Sequence, residues 1–333
     1  MPSHQRSVAS LLRKAGVPCL LVSHLPNIFY LSGCRLSAGR MLLTKDRMML
    51  YVDARYSERA RKEGKKTIVH RPYEKLHDDL MPFPSIGIEA EHVTLAQEKR
   101  WKKQLKNKKL VHTLDLLEGL RRCKTTLELK SIQRACSITK VILRIIPSLL
   151  KLGITEQELA WKIFALAHQK GADELAFSTI VGFGPNTSIP HHEPSDRKLK
   201  KGDIVQIDMG VKVDGYCSDY SRVFFKASPT KDQKNAYDAL LQAKNAAEKI
   251  LKPGVTNHEL DHAAREVLRS YDLDRFFTHA LGHGVGIDIH EGVTLSSKTP
   301  KTKILKNEVV TIEPGLYFPG KWGMRVEDTH IVI

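Results

Sequence analysis

Four carboxylates stand at matching places in two related stretches of the chain. Asp208 lies in "KGDIVQIDMG" and Asp219 in "GYCSDYSR"; Glu313 lies in "NEVVTIEPG" and Glu327 in "GMRVEDT". Val205, Ile207 and Met209 alternate with Gln206 and Asp208 in the period of a β-strand, where Asp is a poor builder, so Asp208 must serve something other than the sheet. Carboxylates opposite or diagonal on one sheet face come within about 5–8 Å and repel unless protons or cations intervene. Four of them beside imidazole make a hard-cation site with room for two ions. The imidazoles are at hand in "HALGHGVGIDIHE", where His283 stands between two glycines ahead of His290, and in "GPNTSIPHHEPSD", which holds His191 and His192. A single acid on a strand is as a rule a solvated residue of a wet sheet face, and a single His a packed or surface one. Recurrence and joint presence are what favour chemistry here.

The elements that must position these groups can be read around them. Asp214-Gly215 is a two-residue hairpin turn signal. A turn there sets Val213 opposite Tyr216 and Asp208 opposite Ser221, with Asp219 on the same face, diagonal to Asp208. In the second stretch a loop centred on Gly320 sets Glu313 opposite Glu327. The two stretches belong to an internal duplication: "LKLGITEQEL" (Leu150 to Leu159) recurs as "LKPGVTNHEL" (Leu251 to Leu260), 101 residues on. Each copy carries a capping box, Thr155 with Glu158 and Thr256 with Glu259, and so opens a helix. Downstream, "LKKGDIVQIDMG" is echoed by "LKNEVVTIEPG", which lays Asp208 over Glu313. Neither unit can bury a sheet face alone, so a pseudo-twofold domain with strands under helices is expected.

Other chemistries are weakly represented. The glycines at 282, 284 and 286 lack the spacing of a dinucleotide loop, no G-x-S-x-G elbow occurs, and Cys217 near Asp219 has no partner His specified by spacing. The formal charge of +16 invites an acidic partner, but the densest basic run, "KKQLKNKKL", has no interleaved aromatics to stack bases, so nucleic-acid binding is not expected. The apolar stretch "VILRIIPSLL" is broken by Arg and Pro short of a membrane span, and "MPSHQRSVASLLRKAG" has no secretory pattern. Five scattered cysteines suggest free thiols and a cytoplasmic protein.

Residues 1 to about 120 alternate strand-like runs ("CLLVSH", "MLLTKDRMMLYVDARY", "IGIEA", "LVHTLDLL") with charged helical patterns, the texture of a small α/β domain. At Cys123 the texture changes, and the capping box in "TTLE" opens a long amphipathic helix, which places a domain boundary between 1–122 and 123–333.

Taken together, "GPNTSIPHH", "VQIDMGVKVDGYCSDYSR", "GHGVGIDIHE", "TIEPGLY" and "GMRVEDT" resemble the pita-bread metallopeptidases, and within them the Xaa-Pro aminopeptidases and Xaa-Pro dipeptidases (prolidases). The resemblance covers essentially the whole chain and implies an α/β two-domain protein: a creatinase-type N-terminal domain, then a pita-bread catalytic domain of α+β type. It implies five ligands, Asp208, Asp219, His283, Glu313 and Glu327, for two divalent ions, with Mn²⁺ expected and Co²⁺, Zn²⁺ or Fe²⁺ as substitutes. It assigns His191 and His290 to the substrate pocket, Arg325 to holding a carboxylate ligand, and Glu313 to moving the proton. The implied activity is release of the N-terminal residue from Xaa-Pro peptides by a metal-bridging hydroxide, with Xaa-Pro dipeptidase as the alternative and a non-catalytic binding module as a third reading. A homodimer is implied too. Two residues depart from the family pattern, Ala280 and Phe183, and either is expected to reshape the pocket; relatives also continue past Ile333 through another strand.

Overall fold

The computed structural model describes residues 3–333. The chain clusters into two units, residues 1–120 and 121–333. In the first unit the chain runs α1 (Ser3–Ala15), β1 (Cys19–Val22), α2 (Leu25–Ser32), β2 (Arg40–Thr44), β3 (Met48–Val52), α3 (Ala54–Glu63), β4 (Val69–Pro72), α4 (Leu76–Leu80), β5 (Ser85–Glu89), α5 (Leu95–Gln104) and β6 (Lys109–Thr113). The strands form one sheet in the order β4-β3-β2-β1-β5-β6. β1, β5 and β6 run parallel, β2 is antiparallel to both β1 and β3, and β3 and β4 are parallel. Leu21, Leu42, Tyr51, Ile86 and Ile88 carry its core, with Trp101 of α5 packed on them. β4 is a strand that the sequence hid: Val69-His-Arg-Pro has neither alternation nor a clear apolar run, and as an edge strand it needs little of either.

The short α6 (Glu118–Arg122) leads into the second unit, which opens with α7 (Thr126–Leu149) and α8 (Glu156–Gln169). Strands follow as β7 (Glu174–Leu175), β8 (Ile180–Phe183), β9 (Ile204–Met209), β10 (Val211–Val213), β11 (Tyr216–Cys217) and β12 (Tyr220–Phe225). The second half repeats the plan with α9 (Lys231–Ile250), α10 (Asn257–Ser270), β13 (Gly282–His283), β14 (Thr294–Leu295), β15 (Val309–Ile312), β16 (Gly315–Phe318), β17 (Trp322–Arg325) and β18 (Asp328–Ile331). The capping boxes at Thr125, Thr155 and Thr256 are formed as the sequence implies, and a fourth, Thr230 with Gln233, opens α9. Equivalent bridges, Thr155 to Lys198 and Thr256 to Lys303, tie each second helix to the strand ahead of an acid. Ile142, Ile146, Leu159 and Ile163 bury against Val205, Ile207 and Met209 in one half. Leu240, Ala243, Leu260 and Ala264 bury against Val310, Ile312 and Leu316 in the other. Helices over strands, twice, is the expected duplication. Among the described residues no helix is long and apolar enough to cross a membrane.

Candidate active site

Three of the four carboxylates, Asp219, Glu313 and Glu327, sit where a hairpin ladder is interrupted, and Asp208 sits in the ladder just ahead of the first break. The first hairpin turns at Asp214 (φ 52°) and Gly215 (φ 84°), both left-handed as a type I′ turn requires. Val213 pairs with Tyr216 at its tip, and Met209 with Tyr220 and Asp208 with Ser221 at its base. One register runs through both parts, with Gly210, Ser218 and Asp219 at the break. In the second hairpin Phe318 pairs with Trp322 at the tip, and Gly315 with Arg325 and Ile312 with Asp328 border the break, leaving Glu313, Pro314, Val326 and Glu327 between. Each interruption has a local cause. A Cβ on Gly210 would stand 1.9 Å from the Ser218 carbonyl oxygen, so only glycine admits that crossing. Pro314 has no N–H to give to a ladder. Asp219, Glu313 and Glu327, freed from regular pairing, and Asp208, from within its strand, all line one cavity.

That cavity has a volume of about 540 Å³, and Asp208, Asp219, His283, Glu313, Arg325 and Glu327 all line it. His191 and His290 line it as well, both on exposed positions. The His283 Nε2 lies 3.5 Å from Asp219 Oδ2 and 3.4 Å from Glu313 Oε1. Its Nδ1 faces the Gly284 carbonyl at 3.1 Å; an Nδ1–H there donates to that oxygen and leaves Nε2 with a lone pair aimed at the acids. The backbone N–H of His283 donates to Thr311 Oγ1 (3.0 Å), whose hydroxyl donates to Glu313 Oε1 (3.3 Å). Arg325, 3% exposed, pairs with Asp208 and donates to Ser221 Oγ (3.0 Å) and Tyr317 OH (2.5 Å). Ser221 in turn donates to Glu327 Oε2 (2.9 Å). Ser221 and Tyr317 were not singled out in the sequence: nothing in a strand Ser or a "GLY" Tyr marks it as an arginine's partner.

The electrostatics are those of a cation site. Burial, reinforced by Glu327, Asp208 and Glu313, holds the Asp219 carboxyl well above the carboxylate range. Burial raises Glu327 in the same way, with Glu313 and Asp208 adding to it, and pushes Glu313 up to about 8. His283 is pushed down to about 3 by burial and by His290, so its imidazole is neutral. Three carboxylate oxygens, Asp208 Oδ1, Asp219 Oδ1 and Glu327 Oε1, are buried with no hydrogen-bond partner. One donor atom each from Asp219, His283 and Glu327 lies within 4.8 Å of the others. Buried acceptors without donors, one neutral imidazole and no competing lysine in the lining are what divalent cations would satisfy, so the residues present fit them.

Two further carboxylates hold the loops that carry the pocket histidines. Glu156, the residue after the Thr155 cap, accepts from Phe183 N (2.7 Å), Asn186 Nδ2 (3.0 Å) and Ser195 Oγ (2.6 Å), and its Oε2 is 2.8 Å from His192 Nε2. It thus spans the loop on which His191 lies. Glu291 accepts from Ile287 N (3.0 Å) and Asp288 N (3.2 Å) and pairs with Arg121 and Lys124, fixing the loop that ends in His290. Glu156 is adjacent to the Thr155 cap, and an acid in the first turn of a helix reads in sequence as part of that helix start rather than as a loop clamp. Phe183 is a correction: it is fully buried in the α7–α8 core and does not line the cavity, whereas Phe177 and Ala280 do. Cys217 is also buried, with Sγ 3.5 Å from the Ile287 carbonyl and its thiol pushed up by burial, which excludes it as a nucleophile.

Strands duplicated under helices and acids converging with a neutral imidazole define a metal-dependent hydrolase. The chain belongs to Metallopeptidase family M24, which it matches over residues 130–333, and residues 6–123 match the Creatinase/Prolidase N-terminal domain. It is 33% identical over 331 residues to an Xaa-Pro dipeptidase of Pyrococcus horikoshii, covering 98% of this chain and 93% of that protein. The structure of an Xaa-Pro dipeptidase from Bacillus anthracis superposes with a TM-score of 0.94 at 28% identity, over 99% of this chain and 94% of that one. The X-Pro aminopeptidase of Thermotoga maritima superposes with a TM-score of 0.88 at 29% identity, over 97% and 95%. The fold is therefore the two-domain pita-bread architecture, with a creatinase-type domain ahead of the catalytic one.

Proposed function

We propose that the protein is a dinuclear, metal-dependent exopeptidase that cleaves the bond before proline in Xaa-Pro dipeptides. The observation that carries this is the convergence of Asp208, Asp219, Glu313, Glu327 and His283 on one cavity, with three carboxylate oxygens lacking donors. The dipeptidase names of the relatives support dipeptides over the N-terminal cleavage of longer peptides that the motifs first suggested. The fold shared with an X-Pro aminopeptidase keeps the latter as the second reading.

Asp208, Asp219, His283, Glu313 and Glu327 would hold the two ions, with manganese our expectation. Such ions supply Lewis acidity toward the scissile carbonyl and lower the pKa of water. The protein's own groups do the rest. Arg325 holds Asp208 in place and, through Ser221, orients Glu327. Glu313, a carboxylate when it serves as a ligand, would receive a proton from the attacking water and pass it to the leaving proline nitrogen. His290, whose pKa is lowered by its partial burial and by the neighbouring His191, and His191, which lines the same cavity, would donate hydrogen bonds to substrate and to the developing oxyanion. A homodimer and a cytoplasmic location belong to the same proposal and rest on the family resemblance.

Incubation of metal-loaded protein with Gly-Pro and with Gly-Pro-Ala tests the reading. Proline released from Gly-Pro, with the tripeptide left intact, is expected. Cleavage of the tripeptide alone makes it an aminopeptidase, and no cleavage of either with any of the four metals removes the exopeptidase reading.

A further inference from the structure

The first unit carries a cluster that the peptidase chemistry does not use. His24, His92 and Glu118 come from three separate segments, with no metal-binding spacing in the sequence. His24 follows β1, His92 lies on the exposed turn after β5, and Glu118 follows β6. β1, β5 and β6 are parallel, so all three residues gather at the carboxyl ends of adjacent strands, where open α/β sheets place their ligands.

We propose that His24, His92 and Glu118 bind one divalent ion of the zinc class. Glu118 Oε1 lies 3.0 Å from His92 Nε2 and 4.0 Å from His24 Nδ1, and one donor atom from each residue falls within 4.8 Å of the others. Donors around a tetrahedral zinc at its usual bond lengths stand about 3.4 Å apart, between the two distances found. Two imidazoles and one carboxylate are a donor set that suits zinc and leaves a fourth position for water. Beside them is a cavity of about 10 Å³, room for about one water, lined by His92, Glu118, Asp115 and Glu91 among others.

The surroundings hold the donors in place. Asn27 Nδ2 donates to Glu118 Oε1 (2.6 Å) and to Glu89 Oε1 (2.8 Å). Glu89 also accepts the backbone N–H groups of Ser23 (2.6 Å) and His24 (2.8 Å), which fixes the segment bearing His24. Such outer partners orient metal ligands in known sites. The two imidazoles stack with centroids 3.6 Å apart and planes 3° from parallel. An ion shared by both must lie near each ring plane, so binding tilts one ring, and His92 on its exposed turn is the ring with room to move.

The test uses full-length protein in an Asp219→Asn, His283→Ala background, which weakens the catalytic centre. Equilibrium dialysis against Zn²⁺ is expected to show about one equivalent more zinc in this background than in the same background with His92→Ala. Equal zinc in the two overturns the proposal. In crystals of the unaltered protein soaked in Zn²⁺, anomalous density at about 2.0–2.1 Å from His92 Nε2 and Glu118 is expected. Density confined to the catalytic cavity also overturns it.

Discussion

Glu156 and Glu313 are both removed from bulk water, and their neighbours drive them in opposite directions. For Glu313, burial beside Asp208 outweighs the pull of Arg325 and of the Thr311 hydroxyl, and its carboxyl rises to about 8. Glu156 is lowered instead: burial would raise it, but His192, Ser195 and the Phe183 amide outweigh that. A carboxyl whose folded pKa lies below its unfolded value of about 4.5 stabilises the fold above that pH, and the contribution is lost as pH falls through the folded value. Glu156→Gln should therefore lower stability at pH 7 by about 1.5–3 kcal/mol, the worth of a hydrogen bond to a charged group, and flatten the acid limb of the melting curve below pH ~4.5. Parallel wild-type and variant melts from pH 3.5 to 7 would contradict this. Glu313→Gln should lower kcat by about 10²- to 10⁴-fold with an unchanged circular dichroism spectrum, as expected for loss of a proton carrier. Retention of more than a tenth of wild-type turnover would remove Glu313 from that role.

Hairpins that keep register across an interruption are the device that turns strand residues into a site. The continuous register was legible in the sequence, because Asp214-Gly215 names the first turn and Gly320 centres the second. The interruptions were not, because a break appears only when two backbones are seen to cross. At Gly210 that crossing leaves no space for a methyl group, so Gly210→Ala should cost about 1–3 kcal/mol or more and disturb Asp208 and Asp219 together. Gly119 in α6 has no atom within 4 Å of an added Cβ, and Gly119→Ala should be neutral or stabilising by up to about 1 kcal/mol. Urea unfolding of the two variants measures the contrast; equal midpoints would mean that the Gly210 crossing relaxes freely.

On the scale of the whole molecule, metal and fold are linked through the acids gathered in the second unit. Removing cations leaves several carboxylates to share protons in a buried cavity, so chelation should abolish peptidase activity and lower the melting temperature. Readdition at about 100 times Kd should return about 2.7 kcal/mol of stability together with activity. A melting temperature indifferent to chelator would show that no ion is bound there. The sequence by itself determined what repeats, two capping boxes 101 residues apart and two hairpins with acids at matched places, and it marked His283 between its glycines, because such signals are local in the chain. Tertiary structure alone decided what meets. Arg325 reaches Asp208 across 117 residues, Glu156 gathers a loop up to 39 residues away, and the His24, His92 and Glu118 cluster draws on three segments at the carboxyl ends of adjacent strands. Periodicity records which face a side chain takes; it holds no information on which distant segment that face will find, since that depends on how separate elements pack.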